Sequence, residues 1–268
     1  DIPVPKLIEG HILINSQCSL VSKGTEKMLI DFGNANLLQK ALSQPDKVKQ
    51  VFDKIKLDGF EATYKSVNAK LDQVIPLGYS NVGIVSETAI AEFSVGDRVI
   101  SNGPHSEVII APKNLAAKIP DDVSDEEASF TIVGSIALQG IRILNPNFGE
   151  TVAVIGLGLI GMLAIQILKS NGVRVIGIDI DNKKCELADS FGIETIVSNS
   201  TSELESKILF KTSGVGVDGT LITAANKNND IISQAAKICR KRGKIVLVGV
   251  TGLNLNRDDF YKKELTFQ

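Results

Sequence analysis

The stretch 151–179, TVAVIGLGLIGMLAIQILKSNGVRVIGID, leaves this chain few ways to fold. A β-branched run at 151–155 reads as a buried strand. It passes directly into Gly156, Leu157, Gly158, Leu159, Ile160 and Gly161, a G-x-G-x-x-G pattern, and a helical pattern then continues to Lys169. Asn171 and Gly172 supply a helix stop, and a second strand at 173–178 ends on Asp179, 18 residues after Gly161.

Each part of this βαβ unit has a physical reason. Gly156 permits a tight turn out of the strand, Gly158 lets a pyrophosphate approach the backbone, and Gly161 lets the helix pack closely on the sheet. The free N–H groups and positive dipole end of the helix then face the phosphates. Asp179 stands where a carboxylate can accept hydrogen bonds from both ribose hydroxyls of an adenosine. A carboxylate there also repels a 2′-phosphate, so NAD(H) is expected in preference to NADP(H). Lys184 is a further cofactor-side candidate. Two rivals are weaker. A membrane span is one, since 151–168 carries no charge, but three glycines and a following β-run with an acid suit a soluble βαβ unit better. A purely structural βαβ unit is the other.

The alternation continues beyond Asp179. Helices are expected at 182–191, 203–211 and 231–242, and strands at 194–197, 219–224, 244–250 and from Leu265. Six strands alternating with helices imply a doubly wound parallel sheet, with the ligand at the carboxyl ends of the strands. Thr223, Ala224, Gly249 and Val250 sit at two such ends and are secondary cofactor-contact candidates.

The first half reads differently. Strands are expected at 11–15, 18–22, 74–78, 82–85, 93–100 and 106–111, with a turn at Lys23-Gly24-Thr25-Glu26 opening a short helix capped by Thr25. Between them, about 31–73, lysine-rich helical patterns at 36–42, 45–55 and 60–71 suggest a solvated helical insertion, or else a substrate lid or oligomer contact. Ser124 followed by Asp125, Glu126 and Glu127 is an N-cap with acids in the first turn of one long helix to about Leu144. The domain boundary is therefore expected at 124/125.

Composition removes other classes. A net charge of −2 offers no basic footprint for nucleic acid. Cys18, Cys185 and Cys239 are odd in number and far apart, against a disulfide framework or a cysteine-rich zinc lobe. Cys185 and Cys239 fall in helical patterns as buried thiols. His11 and His105 share no ligand spacing, and His105 reads as a loop residue without a catalytic role. No signal peptide precedes the first strand, so a cytoplasmic location is expected, while the missing initiator Met leaves room for earlier residues.

An irregular β region followed by a dinucleotide fold resembles the medium-chain dehydrogenase/reductase, alcohol dehydrogenase-like family. The residues that carry the resemblance are Leu77-Gly78-Tyr79-Ser80-Asn81-Val82-Gly83-Ile84-Val85, Val95-Gly96-Asp97-Arg98-Val99 and the motif from Val154 to Asp179. It implies an α/β protein, a GroES-like β domain (1–124) followed by a Rossmann NAD(P)-binding domain (125–268). The insertion, with Gln44-Pro45-Asp46-Lys47-Val48 and Gly103-Pro104-His105, is similar to the N-terminal part of bacterial bi-domain oxidoreductases. That likeness implies a further C-terminal domain not present in this chain, which stops inside the sixth strand, and it admits a homodimer.

Departures from the family set the expected chemistry. Zinc members have Gly-His-Glu where this chain has Gly78-Tyr79-Ser80, and a cysteine where it has Lys23 ahead of Thr25-Glu26. The third ligand position, near Gly134-Ser135, holds no thiol, so no metal is expected. Without one, hydrogen-bond donors must handle charge on the substrate oxygen. Tyr79 is the first candidate, at a former ligand position with a phenolic donor; Ser22, Lys23 and Thr25 are weaker ones. The resemblance therefore implies a zinc-independent NAD(H)-dependent oxidoreductase acting on a small carbonyl, alcohol or activated alkene. A quinone reductase-like enzyme and a non-catalytic dinucleotide-binding module are the alternatives.

Overall fold

A computed structural model of the chain describes residues 3–36, 39–40, 42, 45–71, 75–198, 200–225, 230–253 and 255–268. The chain divides into two compact units, Asp1–Ser129 and Phe130–Gln268.

The first unit is built on a five-stranded antiparallel sheet. Its strands are β1 (His11–Ser19), β2 (Asn81–Thr88), β3 (Arg98–Ser101), β4 (Val108–Pro112) and β5 (Ala116–Lys118), in the order β4-β1-β2-β3-β5. Ile12, Ile14, Val85, Val99, Ile109 and Ala111 close its core. The two strands expected at 11–15 and 18–22 are one continuous strand. Register shifts against β2 between Leu13 and Ile14 and between Ser16 and Cys18 break the alternation that would have marked it as one. No strand forms at 75–78, and Val74 lies outside the described residues. Instead Gly78, at φ +88°, turns the chain into β2.

Helix α1 (Lys23–Asn34) starts directly after β1, with Ser22 rather than Thr25 at its N-cap. The expected Lys23–Glu26 turn is thus the first turn of the helix itself. Helices α2 (Pro45–Asp58) and α3 (Phe60–Leu71) follow, joined at Gly59, φ +81°. The helix expected at 36–42 includes residues 37, 38 and 41, and the Gln44 motif includes residue 44, all outside the described residues.

The long helix expected after Ser124 is two helices, α4 (Asp125–Ala128) and α5 (Thr131–Leu144). Ser124 does cap the first. Its hydroxyl accepts from the Glu127 N–H, and the Glu127 carboxylate takes the Ser124 N–H in return. At the end of α4 the Ser129 hydroxyl donates back to the Glu126 carbonyl, and the Ser129 carbonyl accepts from the buried Ser80 hydroxyl at 2.5 Å.

The second unit contains β6 (Thr151–Ile155), α6 (Leu159–Ser170), β7 (Arg174–Asp179), α7 (Asn182–Ser190), β8 (Glu194–Val197), α8 (Thr201–Lys211), β9 (Val217–Ile222), α9 (Asp230–Ile238), β10 (Cys239–Leu247), α10 (Arg257–Tyr261) and β11 (Thr266–Phe267). The strands form one sheet in the order β11-β10-β9-β6-β7-β8, all printed pairs being parallel. Chain order therefore reverses between β6 and β9, the switch point of a doubly wound fold. Helices α5, α6 and α7 cover one face through Leu144, Ile165, Leu168 and Ala188. Helices α8 and α9 cover the other through Leu204, Ile208, Ile232 and Ala236. Strands buried on both faces explain the continuous apolar runs at 152–155 and 175–178.

One element is misplaced by the sequence pattern. The helix expected to Arg242 stops at Ile238, and β10 begins at Cys239. Arg242 takes φ +60°, and the register with β9 slips between Cys239 and Lys244. Arg240 is drawn into the sheet by Asp218, 2.6 Å from its Nε, which overrides the helical spacing of the basic run. Cys239 is buried as expected, but in a strand. Burial pushes its thiol up to about 11, and burial also raises that of Cys185. Iodoacetamide at pH 8 is therefore expected to alkylate neither before unfolding. Peptide mass mapping of native protein that shows rapid labelling at either site contradicts this packing.

Candidate functional site

The switch point of the parallel sheet is built by glycine geometry. Gly156 follows β6 at φ +99°, a conformation that side chains with Cβ rarely adopt. A Cβ on Gly156 would also sit 2.6 Å from the Ala224 backbone nitrogen. One on Gly161 would overlap the Gly156 carbonyl oxygen. Gly158 differs, since a Cβ there meets open space. It is the exposed N-cap of α6, and no side chain caps the helix. The positive end of a 12-residue helix thus opens onto free room beside a residue without a side chain.

Asp179 ends β7 with its side chain only 6% exposed. One carboxylate oxygen accepts from the Leu157 N–H at 2.7 Å and lies 3.3 Å from Lys184 Nζ. The other accepts from the Asp181 N–H at 2.9 Å. The glycine loop and the acid are therefore one hydrogen-bonded unit, with Leu157 buried beneath it and Leu159 and Ile160 half-buried at the helix start. Thr223 closes the unit from β9, its hydroxyl donating to the Gly156 carbonyl at 2.5 Å. Ala224 packs against Gly156, and Gly249 packs against the Ala224 carbonyl. Val250 is exposed, with no contact to the loop among the described residues. The glycine loop, Asp179, Lys184, Thr223, Ala224 and Gly249 are joined by these contacts.

The first unit holds the other candidates. Ser22 is buried, Lys23 and Thr25 are exposed, and all three lie in or beside the first turn of α1. The Leu20 N–H donates to the Ser80 carbonyl at 3.0 Å, so the segments carrying Ser22 and Tyr79 leave the sheet side by side. Tyr79 is half-buried, and among the described residues its hydroxyl has no hydrogen-bond partner.

Sequence reasoning missed Glu26 and Ser19 and set His105 aside. Glu26 is 6% exposed in α1, with one oxygen 2.7 Å from the Ser22 N–H and the other 3.0 Å from His105 Nε2. The second ring nitrogen, Nδ1, lies 2.8 Å from the Ser19 hydroxyl. Gly78 packs flat under the ring, where a Cβ would come within 2.7 Å of it. No local signal could have joined residues 79 and 86 positions apart.

The donor set does not suit zinc. Where the resemblance implies zinc ligands the chain has Lys23, Tyr79 and, near the third position, Gly134-Ser135, whereas zinc takes thiolate, imidazole or carboxylate. Both His105 nitrogens already have partners. Burial, Asp125 and Glu126 raise the Cys18 thiol above its ordinary value, which disfavours the thiolate a metal needs. Among the described residues no group of three or more His, Cys, Asp or Glu side chains could hold a metal, and no helix is long and apolar enough to cross a membrane.

Residues 160–268 match a family model described as zinc-binding dehydrogenase. An alcohol dehydrogenase of Geobacillus stearothermophilus is 31% identical over 150 residues, 56% of this chain and 43% of that protein. The structure of 2R,3R-butanediol dehydrogenase from Bacillus subtilis superposes with a TM-score of 0.76 at 19% identity, covering 100% of this chain and 79% of the other. A mycobacterial quinone oxidoreductase gives 0.72 at 21% identity, covering 100% and 75%. The chain is thus similar to alcohol dehydrogenase-like proteins over part of its length and shares the fold of these solved structures. Its two units correspond to the GroES-like and Rossmann folds of these neighbours. The chain spans 43% and 61% of the length of two curated alcohol dehydrogenases that it matches.

Proposed function

We propose that this chain is a member of the medium-chain, alcohol dehydrogenase-like dehydrogenase/reductase family and a zinc-independent, NAD(H)-dependent oxidoreductase that moves a hydride between nicotinamide and a small carbonyl, alcohol or activated alkene. The observation that carries the reading is the single hydrogen-bonded unit of Gly156–Gly161, Asp179 and Thr223 at the switch point. It offers a helix N-terminus to a pyrophosphate and a carboxylate edge to a ribose. Bound there, a nicotinamide dinucleotide supplies the hydride acceptor or donor.

The protein's own task is to manage the substrate oxygen. Tyr79 brings a phenolic donor with no hydrogen-bond partner among the described residues, which can hold developing negative charge where zinc members of that family use a metal. Lys184 stands beside Asp179 and softens the repulsion of a 2′-phosphate, yet the buried carboxylate still favours the free ribose diol of NAD. Three free cysteines far apart suit a reducing compartment, and we place the protein in the cytoplasm.

The test is a substrate panel of secondary alcohols with NAD and of carbonyls, enones and quinones with NADH, each with and without 1,10-phenanthroline. Turnover that survives the chelator, with Tyr79→Phe lowering kcat by about 10²-fold, is expected. Loss of activity on chelation, with zinc bound one per chain, contradicts zinc independence. Turnover of quinones alone moves the assignment to a quinone reductase.

A further inference from the structure

We propose that a pocket at the amino ends of β6, β9 and β10 binds a phosphoryl-type oxyanion, either inorganic phosphate or the phosphate of a small phosphomonoester. The pocket lies at the opposite end of these strands from the glycine loop and does not depend on the dinucleotide reading above.

The sequence concentrates positive charge here. The chain as a whole carries −2, yet residues 237–244 hold five cations, Lys237, Arg240, Lys241, Arg242 and Lys244. Arg240, Arg242 and Lys244, every second residue of β10, line one pocket with Asn145, Glu150 and Asp218. Its volume of about 120 Å³ equals roughly four waters at about 30 Å³ each, room for a central atom with four oxygens.

Two carboxylates share the pocket, and their bonds decide its sign. Asp218 accepts from the Thr151 N–H at 2.7 Å on one oxygen and from Arg240 Nε at 2.6 Å on the other. Glu150 accepts from the Asn147 N–H at 2.8 Å and, on its second oxygen, from the Asn147 side-chain amide at 3.3 Å. Both acids are thereby committed to the wall. Two of the cations are not. Among the described residues Lys244 Nζ makes one long contact, 3.4 Å to the Leu144 carbonyl, of the three bonds it can donate. Arg242 binds Glu264 through Nε at 2.8 Å, and among the described residues its terminal nitrogens donate no hydrogen bond. Charged donors in excess of acceptors suit an anion that brings its own oxygens.

Backbone strain converges on the same place. Four described non-glycine residues take positive φ, and two of them, Asn145 at 49° and Arg242 at 60°, line this pocket. A third, Glu264 at 52°, holds Arg242. Gly243 would adopt positive φ freely, but the chain places Arg242 there instead. The slip of β10 against β9 between Cys239 and Lys244 thus re-aims a basic side chain at an energetic cost, as bulges beside binding sites do. A purely structural ion network explains Arg240, held by Asp218 with Glu150 3.8 Å away, but not Arg242 and Lys244 beside the same space.

The test is titration of the full chain with inorganic phosphate, read by 31P line broadening and by thermal melting at constant ionic strength set with chloride. Saturable binding that raises the melting temperature is expected. Arg242→Gln and Lys244→Gln are each expected to weaken it about tenfold, the loss of one charge-assisted contact, and the double variant to abolish it. Both side chains are exposed, so their replacement leaves the fold standing. Gly158→Ala, which narrows the room at the glycine loop, is expected to leave phosphate binding unchanged. Phenyl phosphate distinguishes the sources: tighter binding than that of inorganic phosphate assigns the pocket to a phosphomonoester, weaker binding to the free anion, and either order supports the oxyanion site. Phosphate binding that is lost in Gly158→Ala, or that persists undiminished in the double variant, overturns the site. So does the absence of saturable binding by the folded chain.

Discussion

Gly161→Val is expected to abolish dinucleotide binding and to lower the stability of the second unit by about 1–3 kcal/mol, the usual cost of forcing extra atoms into a packed site. The reason is geometric. A Cβ at this position overlaps the Gly156 carbonyl oxygen and comes within 2.8 Å of the Thr223 hydroxyl, the two atoms that clasp the loop to β9. Relief requires α6 to move off the sheet, which costs packing by Ala164, Ile165 and Leu168, all 0% exposed. Gly158→Ala provides the contrast. Its Cβ meets nothing within 4 Å, so folding is unaffected while the space for a pyrophosphate shrinks. Thermal melts and NADH titrations of both variants separate the effects. Equal stability of Gly161→Val and the unmodified protein contradicts this description of the loop.

Asp179→Ala is expected to weaken NADH binding by about 10- to 100-fold, in line with roughly 1.5–3 kcal/mol for hydrogen bonds to a charged group. It should also leave the Leu157 and Asp181 N–H groups without their acceptor, so some stability is lost even without ligand. Lys184, freed of its partner, then offers a cation to a 2′-phosphate. The variant is accordingly expected to lose its discrimination against NADPH, a shift that simple loosening of the loop does not produce. Titration of both nucleotides, referenced to melting temperature, distinguishes the two.

Legibility in the sequence followed the range of the interactions. The glycine loop, its flanking strands and Asp179 were readable because turn, helix start and acid lie within one βαβ unit. The strand expected at 194–197 forms there without adjustment, bounded by Gly192 at φ +70°. Errors arose where tertiary partners overrode local spacing. Arg240 joins Asp218 instead of continuing α9, and bulges against β2 hide the continuity of β1. The row from Glu26 through His105 to Ser19 lay wholly beyond local pattern, because the antiparallel sheet alone brings α1, the end of β1 and the loop before β4 together.

The central claim, that the switch point of the second unit holds NAD(H), is tested most directly by titrating the full chain with NADH and with NADPH under identical conditions. Saturable NADH binding, tighter than that of NADPH and lost in Gly161→Val, is the predicted result. Binding of neither nucleotide by the folded chain, or tighter binding of NADPH, contradicts it.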